Sequence, residues 1–165
     1  MVQDMKGNVM SADVARRWSD DLQRRVLAGT LNRLSVEDWN EILWRARVRE
    51  YKYNDILLKQ GTVPDGLYVV TDGEVRIERS DHQRSAHLAR LGPGSVLGEM
   101  SFLDQSGASA SVAADGKVEI LFVESRDLAQ LLESDQGFAA RFYHSLATTL
   151  SRRLRATNEL ILGRF

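Results

Sequence analysis

The chain has 165 residues, of which 43% are hydrophobic and 27% charged, proportions that suit one folded domain with a packed core. Lys plus Arg total 22 against 23 Asp plus Glu, so no overall basic field favours nucleic acid or an anionic membrane. There is no cysteine, which excludes disulfides, thiol catalysis and cysteine-ligated zinc. No apolar run reaches the ~18 residues of a spanning helix, and Met1 to Asp13 lack the apolar stretch of a signal peptide. A cytoplasmic location is the expectation.

In chain order, residues 1–49 are polar with helical periodicity. From Ser11 to Leu31, Val14, Trp18, Leu22, Val26 and Leu27 recur near every 3.6 residues. Ser35 is a good N-cap, and Asp38 three residues on completes a capping-box pattern for a second helix that buries Trp39, Ile42, Leu43 and Ala46. From residue 50 the pattern changes to short apolar runs between Gly-containing turns. Strands are predicted at Ile56–Leu58, Leu67–Val70, Val75–Ile77, His87–Leu91, Ser111–Ala113 and Val118–Val123. Asp72-Gly73 reads as a tight hairpin joining the second and third of these. Beyond residue 124, Ser125 is expected to cap a short helix with Leu128, Leu131 and Leu132 inside. A longer helix begins near Gln136, with one seam through Ala139, Phe142, Leu146, Leu150, Leu154, Thr157 and Ile161.

The segment Gly92–Val112 reads GPGSVLGEMSFLDQSGASASV. With Leu34–Trp39, Asp55–Gly61, Leu67–Ile77 and Leu91–Leu103 it resembles the cyclic-nucleotide-binding domain family, whose members include the catabolite activator protein and the regulatory subunits of cyclic-AMP-dependent kinase. The resemblance covers roughly residues 30–162. It implies an α+β, mainly β fold: a β-barrel or jelly roll with N-terminal helices and a long C-terminal helix. Residues 1–33 would form a helical extension, 34–135 the barrel with its leading helix, and 136–165 a dimerisation or signalling helix.

The same resemblance assigns a site. Leu97, Gly98, Glu99, Met100, Ser101, Ser109 and Ala110 would surround a cyclic phosphate at a short helical turn, with Glu99 accepting a hydrogen bond from the ribose 2′-hydroxyl. In a helix's first turn the backbone N–H groups lack partners and favour an anion. One departure stands out: the family's phosphate-binding arginine falls on Ala108. Losing a charge-assisted contact of about 1.5–3 kcal/mol weakens binding roughly ten- to a hundredfold. Arg79, Arg84, Arg90 and Lys117 are the cations considered as substitutes. Thr157 and Asn158 match the pair that meets the base in the catabolite-activator branch, one residue from each subunit. Arg152, Arg153 and Arg155 read as a solvated basic face on the same helix.

No dinucleotide or phosphate-loop motif, zincin helix or nucleophile elbow occurs. His82, His87 and His144 make no close-spaced ligand pair, so no metal or other cofactor is expected, and no enzyme. The resulting expectation is a regulatory sensor that binds cyclic AMP or cyclic GMP weakly, pairs through its C-terminal helix as a homodimer, and signals to an effector protein or domain. As given, the chain carries no nucleic-acid-reading module and no membrane span. The alternative is a degenerate member: a dimerisation or protein-docking module without nucleotide, or a binder of a cyclic dinucleotide.

Overall fold

A computed structural model describes residues 10–81 and 85–162, the last three by backbone alone. The first periodic stretch forms two helices rather than one, α1 (Ala12–Arg17) and α2 (Asp20–Ala28). Ser19 restarts the helix because its Oγ accepts the Leu22 N–H, as Ser11 Oγ accepts that of Val14. Helix α3 (Val36–Leu43) starts at the expected capping box: Ser35 Oγ accepts from Asp38 N–H, and the Asp38 carboxylate accepts from Ser35 N–H.

Among the described residues eight strands follow: β1 (Arg47–Tyr51), β2 (Ile56–Leu58), β3 (Gly66–Asp72), β4 (Val75–Ser80), β5 (Ser85–Leu91), β6 (Val96–Leu97), β7 (Ser111–Ala114) and β8 (Val118–Glu124). They form two open four-stranded antiparallel sheets, β1-β8-β3-β6 and β2-β7-β4-β5, rather than a closed barrel. Strands β3 and β8 are apolar on both faces because both faces are covered. Leu67, Val69, Leu121 and Val123 face a core shared with the helices. Tyr68, Val70, Ile120 and Phe122 face the other sheet.

Two expectations are corrected here. The Asp72-Gly73 turn makes no hairpin, since β3 and β4 belong to different sheets. Gly73 instead carries the chain across between sheets at φ +79°, where a Cβ would lie 2.2 Å from the Lys117 carbonyl oxygen. The paired neighbours are β4 and β5, from Val75 opposite Leu91 to Ser80 opposite Ser85, with the register shifting between Ile77 and Glu78. Strand β1 lies in the stretch read as helical. It pairs with β8 along the sheet edge, and its charges, such as Arg47 paired with Glu124 at 2.5 Å, suit an exposed edge.

Helix α4 (Glu99–Asp104) follows β6 directly; α5 (Ser125–Ser134) and α6 (Gln136–Leu162) close the chain. Glu124, not Ser125, holds the N-cap position of α5, and no side chain bonds there. The expected seam of α6 splits. Phe142 and Leu146, joined by Phe138, are buried in the helical core. Leu154 and Thr157 are exposed, and the Ile161 side chain lies outside the described residues. Among the described residues no helix is long and apolar enough to cross a membrane.

Candidate functional site

The site is built around the turn between β6 and α4. Gly98 holds φ +86°, and a Cβ there would lie 2.7 Å from the Gly66 carbonyl oxygen. Only glycine combines that backbone with that approach. Behind it, the Tyr68 hydroxyl donates to Asp65, and the Arg49 guanidinium lies 3.3 Å from the Phe122 ring centroid. Burial first, then the Asp65 bond, push the Tyr68 hydroxyl well above the ordinary tyrosine range, so it remains a neutral donor at pH 7. Burial pushes the Asp65 carboxyl up, but the bonds from Tyr68 and Arg49 outweigh it and hold the group below its usual value.

In front of the turn lies a cavity of about 290 Å³. One wall is apolar: Leu58, Ile77, Ala89, Leu91, Val96 and Val112. The other carries Leu97, Gly98, Glu99, Met100, Ser101, Ser109 and Ala110. These seven were singled out in the sequence, and the fold brings all of them to one cavity. The chain entering the Ser109–Ala110 segment is tied to the turn after β2. The Ala108 carbonyl accepts from Gly61 N–H at 2.8 Å, and Ala108 N–H donates to the Thr62 carbonyl at 3.0 Å. Glu99 is 5% exposed and Ser101 6%, so both are buried polar groups that need partners.

Thr157 and Asn158 are exposed and do not line this cavity. The Thr157 hydroxyl donates instead to the Arg153 carbonyl. Among the described residues, none of the expected cations reaches the cavity either. Arg90 pairs with Asp115 at 3.0 Å. Arg79 lines a separate depression with Gln60, Ser80 and Asp81, and Lys117 does not line the cavity. Arg84, like His82, falls outside the described residues.

The cation that does reach it is Arg153, read from sequence as part of a solvated face. Its guanidinium donates to the Glu99 carboxylate at 2.5 Å, and its side chain is 48% exposed against 7% for Glu99. Arg153 lies one turn before Thr157 on the same helical face, and that spacing was the available signal.

A second contact links the turn to α6. Phe102 packs edge-on against Phe142, with ring centroids 5.8 Å apart. Its neighbour Leu103 is exposed beside a surface groove with Tyr143. Among the described residues no cluster of side chains is arranged to hold a metal ion.

Comparison with known proteins falls on the same region. Residues 48–135 match the family model described as cyclic nucleotide-binding domain. The chain is 37% identical over 108 residues to the cyclic AMP receptor protein of Thermus thermophilus, a stretch covering 65% of this chain and 48% of that protein. It thus spans about half the length of that curated relative. The crystal structure of Thermus thermophilus catabolite activator protein superposes with a TM-score of 0.69 at 34% identity, over 84% of this chain and 62% of that one. A cyclic nucleotide-binding domain from Methylobacillus flagellatus superposes with a TM-score of 0.74 over 88% of this chain and 85% of that one; at 23% identity it bears on the fold alone.

Proposed function

The chain belongs to the cyclic nucleotide-binding domain family, and from that premise we propose that it is a regulatory sensor module, not an enzyme, that binds cyclic AMP or cyclic GMP weakly in this cavity and passes the event to α6. The observation that carries this reading is the buried Glu99 carboxylate on a cavity whose lining comes from the family's own segment. Glu99 would accept from the ribose 2′-hydroxyl, with the first turn of α4 and Ser109 beside the phosphate. The apolar wall would hold the sugar and base.

A signal can leave the cavity by two contacts, Arg153 with Glu99 and Phe102 with Phe142. A ligand moves α6 only if its affinity differs between two positions of the helix. Thr157 and Asn158 meet a base only after such a movement, or when a second copy lends its own helix. We take the exposed half of α6 to be that homodimer surface, and the effector to lie in another protein or domain.

A specific observation favours a second reading, a docking or dimerisation module that binds no nucleotide: Ala108 replaces the arginine, and Glu99 is already satisfied by Arg153. Calorimetry with cyclic AMP, cyclic GMP, cyclic di-GMP and 2′-deoxy cyclic AMP, up to several millimolar, separates the two. The sensor reading expects saturable binding of a cyclic mononucleotide and a preference for ribose that Glu99→Ala abolishes. Silence from every nucleotide with a folded protein establishes the second reading.

A further inference from the structure

Two charged side chains, Glu99 and Arg153, line the cavity among the described residues, and they are paired with each other. The site as a whole is therefore neutral. The wall of Leu58, Ile77, Leu91 and Val96 offers a charged group nothing to replace its water. A cyclic phosphate brings one negative charge, and burying it without a cation is costly. Ala108, 7% exposed, faces the cavity at the place where a barrel cation would stand.

We propose that Arg153 neutralises the ligand's phosphate, so that the anion is held by the signalling helix instead of the barrel; this rests on the nucleotide reading above. The guanidinium has five N–H donors in a planar fork, enough to serve Glu99 and a phosphate oxygen together. It is held at the cavity by one partner and is half-exposed, so it can turn.

Two consequences follow that a barrel arginine would not produce. First, the phosphate and Glu99 compete for one cation. The bound state sets two negative charges against one positive, so affinity is weak, and neutralising Glu99 strengthens it. Second, any movement that withdraws α6 also withdraws the cation. Ligand affinity and helix position are then linked, and each biases the other by the same factor.

The test is titration of cyclic AMP into the wild type and the variants Arg153→Gln, Arg153→Lys, Glu99→Gln, Ala108→Arg and Ala108→Arg/Arg153→Gln, each first checked for folding by circular dichroism. Glu99→Gln keeps a carbonyl acceptor for the ribose. It is expected to bind about tenfold more tightly than wild type, as follows from relief of one close like-charge contact. Arg153→Gln is expected to bind at least about tenfold more weakly, Arg153→Lys to keep most of the affinity, and the double variant to recover what Arg153→Gln loses.

Wild-type affinity in Arg153→Gln overturns the proposal and leaves the sensor reading standing. A silent wild type beside an Ala108→Arg variant that binds overturns the proposal too, because the cavity then fits the nucleotide but Arg153 does not serve it, and it overturns the sensor reading for the wild-type chain. Silence from every variant overturns both. Arg153 lies on the exposed half of α6, so its single variants remain informative even if the larger side chain of Ala108→Arg prevents folding.

Discussion

Helix α6 is one continuous element with two different physical lives. Its first half is part of the domain's core. Phe138, Phe142 and Leu146 are each at most 1% exposed. Three polar anchors fix the same half to the N-terminal region: Arg141 to Asp38 by two 2.6 Å contacts, Arg33 N–H to Ser145 Oγ, and Thr149 Oγ1 to the Thr30 carbonyl. The second half, residues 151–159, is exposed throughout, and its Arg153 reaches back to Glu99. A helix stays straight at little cost once nucleated, because each added residue gains a hydrogen bond. A small shift at the anchored half is therefore carried to the free half. The contrast places stability in the first half and, on the proposed function, regulation in the second, and substitutions in the two halves should separate those properties.

The largest effect should come from Phe142→Ala. The ring is fully buried and contacts Phe102, Phe138 and Tyr143 at centroid separations of 5.8, 5.9 and 5.7 Å. Removing it should cost about 3–5 kcal/mol in urea denaturation and cut the aromatic link between cavity and helix. A loss under ~1 kcal/mol would mean that the first half is not core.

Asp38→Asn comes next, and its signature is in pH. Burial pushes the Asp38 carboxyl up, but the bonds from Arg141 and the Ser35 N–H outweigh it, leaving the group below its ordinary value. A depressed carboxyl contributes stability above the unfolded value of about 3.9, and that stability is lost as pH falls through the lower folded value. Wild type should therefore lose stability as pH falls below about 4, while Asp38→Asn should already be less stable at neutral pH by about 1–3 kcal/mol and lack this part of the acid transition. Thermal melts from neutral to strongly acidic pH check both. Parallel pH curves would show that the anchor does not depend on the ion pair.

The sequence disclosed these two halves unequally, for physical reasons. Core strands were legible because Leu67–Val70 and Ile120–Val123 must be apolar to be covered on both faces, and Ser35 with Asp38 declared a helix start by local chemistry alone. The barrel side of the cavity was legible too, since Gly98, Glu99 and Ser101 are near neighbours in sequence. What failed was whatever depends on partners distant in sequence. Strand β1 carries charge because it is an edge, and edge charges look like a polar helix when the neighbouring strand, β8, lies far along the chain. Asp72-Gly73 announces a turn but not which sheet receives the chain. Arg153 looked solvated because the three arginines differ only in where α6 passes the cavity, and that is a property of the folded chain.

The smallest effect on the folded chain, and the sharpest on the comparison, is expected at Leu154. It is 62% exposed and one residue beyond Arg153, in a stretch exposed from residue 151 to 159. Within one chain it has little packing to lose, so Leu154→Glu should change unfolding free energy by less than about 0.5 kcal/mol. If the free half of α6 pairs with its counterpart in a second copy, the same change places two carboxylates near one seam. An apolar seam does not tolerate a buried like-charge pair. Sedimentation velocity across a concentration series should then show a wild-type dimer and a Leu154→Glu monomer of unchanged stability. A wild type that is monomeric at every concentration removes the dimer and leaves Arg153 as the contact between the exposed half of α6 and the cavity. A variant that stays dimeric moves the interface off this helix, and with it the route by which Thr157 and Asn158 from a second copy could reach a bound base.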